Sequence, residues 1–105
     1  MNYDYAGMVA LADPTRRRVF ELLAERPRSV AELTHLLPVS QPAVSQHLKV
    51  LREATLVRAE ARGASNIYHL DPHGLGLMRA WIDRMWGDAL EAFQREINLT
   101  QEEKP

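Results

Sequence analysis

Residues 29–70 read SVAELTHLLPVSQPAVSQHLKVLREATLVRAEARGASNIYHL, and this stretch decides the fold. Its pattern changes three times: a helical repeat, a break at Pro38-Val39, a second helical repeat, then an extended alternation. Ser29 can cap the first of these helices, and Glu32 three residues later completes a capping box. Val30, Leu33, Leu36 and Leu37 form its apolar stripe. Beyond the turn, Ser40 caps the second helix and Pro42 sits in its first turn, where a missing N–H is harmless. Val44, Leu48 and Leu51 then stack at i, i+4 and i+7, while Ser45, Gln46 and Lys49 fall on the opposite side. A merely solvated helix more often carries Glu/Lys pairs at that spacing. Short hydrogen-bonding side chains with one cation suit the base edges of a DNA major groove.

After Leu56-Val57 the period becomes that of a strand. Residues 57–61 and 67–70 flank Arg62-Gly63-Ala64-Ser65-Asn66, a loop with hairpin residues, and Arg62 at its tip would reach phosphate or the minor groove. Upstream, residues 3–12 carry Tyr5, Met8, Val9 and Leu11, a short and partly periodic set. Asp13-Pro14 opens a helix with Val19, Phe20, Leu22 and Leu23 inward that ends before Pro27. Asp71-Pro72 repeats the signal and opens the last helix, where Met78, Trp81, Ile82, Met85, Trp86, Leu90, Phe93 and Ile97 recur at threes and fours. So wide a stripe on a small chain is accounted for by capping the core and pairing with a second subunit.

The expected architecture is mainly α with a small β-hairpin: about five helices plus a two-stranded wing, a winged helix-turn-helix. One domain would span 1–99, with the helix-turn-helix at 29–54, the wing at 57–70, the C-terminal dimerisation helix at 72–98 and a frayed tail at 100–105. Composition agrees. A chain of 105 residues, 46% hydrophobic and 26% charged, is one domain's worth with a thin core that a dimer would complete. No apolar run approaches a membrane span, and the N-terminus lacks a secretory pattern, so a cytoplasmic location without membrane partners is expected. With no cysteine, disulfides, thiolate metal sites and cysteine nucleophiles are excluded. The net charge of −1 is unevenly spread: residues 1–70 carry nine basic and seven acidic side chains, residues 71–105 four and seven. The half with the motifs is the positive half, as a local electrostatic footprint requires.

These residues resemble the ArsR/SmtB family of winged helix-turn-helix repressors over roughly residues 6–95. The likeness rests on Ala12-Asp13-Pro14-Thr15-Arg16, on the run from Ser40 to Leu51, and on the segment from Arg62-Gly63 to Tyr68-His69-Leu70, three motifs in the family's order and spacing. The resemblance implies a homodimer, dimerising through its first and last helices, whose two recognition helices read a palindromic operator in double-stranded DNA, repressing its own promoter until a small signal releases it. Gln41, Ser45 and Gln46 would reach bases or nearby phosphates, with Ser40, Pro42, His47, Lys49 and Arg62 completing the DNA-binding set. Met8, Met78, Trp81, Ile82, Met85, Trp86 and Phe93 would form the dimer interface. One position departs: the family usually has Gly after the alanine ending the recognition helix, whereas Thr55 follows Ala54. Either the helix ends differently or a β-branched residue takes positive φ.

Classical members bind thiophilic metals through Cys-x-Cys on the third helix; Ser29 and Ala31 stand there. A second family site begins with Asp-x-His, which Asp71 and His73 match, but its later positions fall at Arg84 and Gly87, and Asp83 or Asp88 would serve only after a register shift. Asp71 as a helix cap and His73 as a solvated residue is the simpler reading, so no metal and no cofactor is expected. His35 and His69 read as half-exposed structural residues. The run Arg16-Arg17-Arg18 opposes a helix dipole, which a phosphate contact by Arg17, or salt bridges to Glu21 or Glu25, would explain. Trp81 and Trp86 suit core or interface better than a ligand pocket. No nucleophile triad, phosphate loop or carboxylate pair points to an enzyme. The rival reading is a winged-helix protein–protein interaction module that does not bind DNA, favoured by near-neutral charge and an exposed Val50. An unknown small-molecule effector is compatible with either.

Overall fold

The computed structural model describes residues 5–102 of the chain; Tyr3 and residues 103–105, in the expected first helix and tail, lie outside them. Five helices and three strands follow one another as α1 (Ala6–Ala10), α2 (Pro14–Glu25), β1 (Arg28–Ser29), α3 (Val30–Leu36), α4 (Gln41–Glu53), β2 (Val57–Arg62), β3 (Ser65–Leu70) and α5 (Pro72–Glu102). The caps read from sequence are made. Asp13 Oδ1 accepts the Arg16 N–H at 2.9 Å. Ser29 Oγ accepts the Glu32 N–H at 3.1 Å while Glu32 Oε1 accepts the Ser29 N–H at 3.3 Å, the full capping box. Ser40 Oγ accepts the Ala43 N–H at 3.3 Å, so α4 starts where its serine requires.

The core lies where α2, α3 and α4 meet the sheet. Val19, Leu33, Val44, Leu48, Leu51 and Leu56 are fully buried, with Leu22, Leu23, Val57 and Tyr68 packed among them. The stripe of α3 is narrower than expected: Leu33 is buried and Val30 and Leu37 are half-buried, but Leu36 is exposed. Val50 is half-buried against the core instead of exposed, which removes one of the features favouring the interaction module.

The two-stranded wing forms as expected, β2 pairing antiparallel with β3, and a short third strand extends its sheet. Arg28 and Ser29 pair antiparallel with Tyr68 and Ile67, so the sheet has three strands in the order β1-β3-β2. Arg28 is buried, and its Nε donates to the Leu22 carbonyl at 3.0 Å while an Nη donates to Glu25 at 3.2 Å. The strand therefore ties the end of α2 to the wing. Gly63 turns the hairpin with φ 62°, the left-handed conformation that glycine adopts without steric cost.

The recognition helix ends as the departure at position 55 demands. Thr55 has φ 55°, and among the described residues it alone, apart from Gly63, is left-handed. Its N–H donates to the Arg52 carbonyl at 2.9 Å and the Leu56 N–H to the Leu51 carbonyl at 2.9 Å, so the helix closes with the usual left-handed cap carried by an unfavourable residue. Thr55→Gly is expected to raise stability by about 1 kcal/mol, since left-handed backbone costs a β-branched residue more than glycine loses in unfolded-chain entropy. Thermal unfolding should shift up by about 5 °C; an unchanged midpoint would show that the Thr55 Oγ1 bond to the Ala54 carbonyl, at 2.7 Å, offsets the strain.

α5 spans 31 residues, about 46 Å at helical rise, and gives the molecule its 74 Å long axis. It runs through Glu102, so residues 100–102 of the expected frayed tail continue the helix. No helix among the described residues is long and apolar enough to cross a membrane.

Candidate nucleic-acid interface

The polar face of α4 is built by the burial of its opposite face. With Val44, Leu48 and Leu51 at or below 1% exposure, helical geometry leaves Gln41, Pro42, Ser45, Gln46 and Lys49 exposed in one strip with the Ser40 cap at its head. Arg62 stands exposed at the end of β2, its Nη 3.1 Å from Glu60 Oε1. These surface charges face water, where a pair of this kind contributes little and exchanges readily for phosphate. His47 is placed differently from the others. It is half-buried, its Nδ1 is shielded from solvent without a hydrogen-bond partner, and it lies near enough to Asp13 for its charge to favour the Asp13 carboxylate. His47 thus sits at the joint between α2 and α4, at the edge of the strip.

The basic run finds partners that sequence reading missed. Arg16 Nε donates to the Ala10 carbonyl at 2.6 Å and Arg17 Nη1 to the Leu11 carbonyl at 3.0 Å. Cations unfavourable at the start of α2 are thus spent on the carbonyl end of α1, where the dipole welcomes them. Neither proposed partner of Arg17 takes it, and Glu25 is engaged by Arg28. Arg28 carried no signal, because nothing in Pro27-Arg28-Ser29 marks a strand or a buried cation. In the wing, His69 Nε2 lies buried 3.4 Å from Glu60 Oε2, and His35 is exposed.

Asp71 Oδ1 accepts the His73 N–H at 3.0 Å, the capping geometry expected of it, and His73 is exposed. Ser29, where the family's first thiolate would stand, is committed to the α3 cap. Asp83 faces Arg79 at 3.8 Å, one turn away on α5. Among the described residues no three His, Cys, Asp or Glu gather as a metal site would need.

The caps make folding acid-sensitive. The Arg16 N–H, helped by the charges of His47 and Arg16, holds the Asp13 carboxyl below its usual range despite the opposing effect of burial. The Arg26 guanidinium, bound at 2.8 Å, and the Ser29 N–H do the same for Glu32. A folded-state pKa below the unfolded one contributes stability that is present above the unfolded value and lost as pH falls through the folded one. Stability should therefore decline from about pH 4 downward. The double variant Asp13→Asn, Glu32→Gln should flatten that limb in denaturant titrations at a series of acidic pH values; an unaltered limb would assign it to other carboxylates.

A helix-turn-helix whose second helix presents a polar strip, followed by a β-hairpin carrying a basic tip, defines a winged helix-turn-helix transcriptional regulator. Residues 13–59 match the family described as bacterial regulatory protein, arsR family. The chain is 51% identical over 89 residues to the HTH-type transcriptional regulator Rv2034 of Mycobacterium tuberculosis, covering 85% of this chain and 83% of that protein. It is 46% identical over 74 residues to the HTH-type transcriptional repressor SmtB of the same species, covering 69% of this chain and 55% of the repressor. Among solved structures, a possible transcriptional regulator for arsenical resistance superposes with a TM-score of 0.70 at 38% identity, covering 91% of this chain and 96% of the other. An ArsR-like transcriptional regulator from Rhodococcus sp. RHA1 shares the fold with a TM-score of 0.80 at 24% identity, covering 97% and 93%. The chain belongs to the ArsR family of DNA-binding transcriptional regulators, and it is not an enzyme.

Proposed function

We propose that this protein is a cytoplasmic homodimeric repressor that reads a palindromic operator, its own promoter included, without a classical metal site. The observation that carries the reading is the exposed strip on α4, from Ser40 to Lys49, backed by a fully buried stripe that holds it rigidly. Gln46 and Ser45 read base edges, Gln41 and Pro42 meet the groove at the helix start, and Ser40, Lys49 and Arg62 hold phosphate. His47 steadies the strip from its edge. The dimer forms on α5, where Ile82, Met85, Trp86 and Phe93 are 47–65% exposed, and Met8 of α1, 38% exposed, adds to the interface. Met78 and Trp81 are half-buried and belong to the inner margin of that interface: Met78 packs on Gly7, whose missing side chain admits it, and the Trp81 ring lies 6.1 Å from that of Tyr5.

Gln46→Ala tests the reading. One bidentate base contact is worth about 1–3 kcal/mol of discrimination, so operator affinity should fall about tenfold or more while binding to random duplex holds. Fluorescence anisotropy on both duplexes across a salt series measures this, and steep weakening with salt marks phosphate contacts. Equal loss on both duplexes would remove Gln46 from the base readers. Absence of binding to either at low salt would leave the interaction module.

A further inference from the structure

A cleft of about 430 Å³ opens between α1 and the recognition helix, within the size range of small-molecule sites. Its walls are chiefly apolar: Ala6, Val9 and Ala10 on α1 face Val50 and Ala54 on α4. Val50 and Ala54 occupy the flank of α4 between its exposed strip and its buried stripe, so an occupant would bear on the reading helix without touching DNA. Two charged side chains line the cleft, Arg16 and Glu53, and among the described residues no ion pair joins them.

Arg16 is half-buried, and its Nε is held by the Ala10 carbonyl at 2.6 Å, which fixes the plane of the guanidinium. Its two Nη atoms have no hydrogen-bond partner among the described residues. An immobilised guanidinium with free donors at the wall of an apolar cleft matches a carboxylate. Glu53 sets the limit on charge, because it would repel a second carboxylate on the same molecule. Met8, the α1 residue in the proposed dimer face, points about 100° around the helix from Val9, so dimerisation through Met8 leaves this flank open.

We propose that the cleft binds an apolar monocarboxylate, its carboxylate on the Arg16 Nη atoms and its hydrocarbon body between Val9 and Val50, and that its occupation weakens operator binding. The binding stands by itself; the effect on DNA rests on the operator-reading role proposed above.

The full chain is titrated calorimetrically with sodium octanoate, with 1-octanol, which lacks the carboxylate, and with suberate, which carries a second one. Tyr5 lines the cleft and its ring is tilted at 55° to that of Trp81, so tryptophan emission gives a second readout. Saturable octanoate binding is expected, about tenfold weaker for both analogues, with a concerted change in emission. Val9→Phe, at a position 62% exposed that can be filled without disturbing the core, should abolish it, as should Arg16→Gln. Equal binding of octanoate and octanol, or full binding by Val9→Phe, would overturn the site. In anisotropy, saturating octanoate should raise the operator Kd severalfold. Octanoate binding with an unchanged operator Kd would overturn the coupling, and loss of octanoate binding with operator binding intact would overturn the cleft while leaving the repressor reading in place.

Discussion

Gly74→Ala is expected to lower stability by about 3 kcal/mol, far more than a methyl group on a helix surface. A Cβ at Gly74 would stand 2.5 Å from the Thr55 carbonyl oxygen and 2.7 Å from that of Ala54. Both obstacles are backbone, and neither can yield. The Thr55 carbonyl accepts the Gly74 N–H at 2.8 Å, and the Leu56 carbonyl accepts the Asp71 N–H at 2.8 Å. To admit the methyl, α5 would have to leave the end of the recognition helix and break this junction. The midpoint of thermal unfolding, followed by circular dichroism, should fall by about 15 °C. Gly76→Ala provides the control, because a Cβ there meets nothing within 4 Å and alanine favours the helix. If the two variants melt alike, the junction is looser than its hydrogen bonds imply.

Trp86→Glu is expected to convert the proposed dimer to monomer and to weaken operator binding by about a hundredfold or more. Trp86 is 65% exposed and Phe93 60%, on a helix that meets the start of the chain through Met78 on Gly7 and Trp81 beside Tyr5. An isolated apolar stripe of this length is not stable against water, and a second copy of the same helix is its natural cover. A charge at its centre must be buried unpaired or must keep the subunits apart. Each half-operator then loses the effective concentration that linkage to its twin supplies, a factor of about 10² to 10⁴. Sedimentation at micromolar protein reads the first effect and anisotropy on the intact operator the second. A persistent dimer would move the interface away from this stripe. A monomer that keeps full affinity would show that one subunit suffices.

Four of the five helices were legible because each carries its own punctuation, whereas α1 begins after Tyr5 without a capping side chain. Asp13-Pro14, Ser29 with Glu32, Ser40 with Pro42 and Asp71-Pro72 each place a capping side chain one residue before an apolar repeat, and local chemistry of this kind survives into the structure. The exposed strip of α4 was legible for the same reason, since the burial of Val44, Leu48 and Leu51 dictates where Ser45, Gln46 and Lys49 must lie. What escaped depends on distant partners. Two residues make no strand until Tyr68 and Ile67 pair with them, and Arg28 is buried only because the end of α2 offers the Leu22 carbonyl. The half-burial of His47 and the commitment of Arg16 and Arg17 to α1 likewise arise from packing across elements. Thr55 lies between the two cases: its identity posed the question of a left-handed cap, and only the backbone angle answered it.

The bonds that close the base of the wing onto the start of α5 have a geometric consequence for the operator. Recognition helix, hairpin and dimer helix leave one junction as a single stiff piece, so in the proposed dimer the two reading heads behave like the points of a caliper locked at one opening. A base pair inserted between half-sites advances one of them by about 3.4 Å and turns it by about 34° around the duplex. With no joint to absorb that rotation, the cost falls on twisting the DNA. Such an instrument measures the spacing and phase of its half-sites as stringently as it reads their letters.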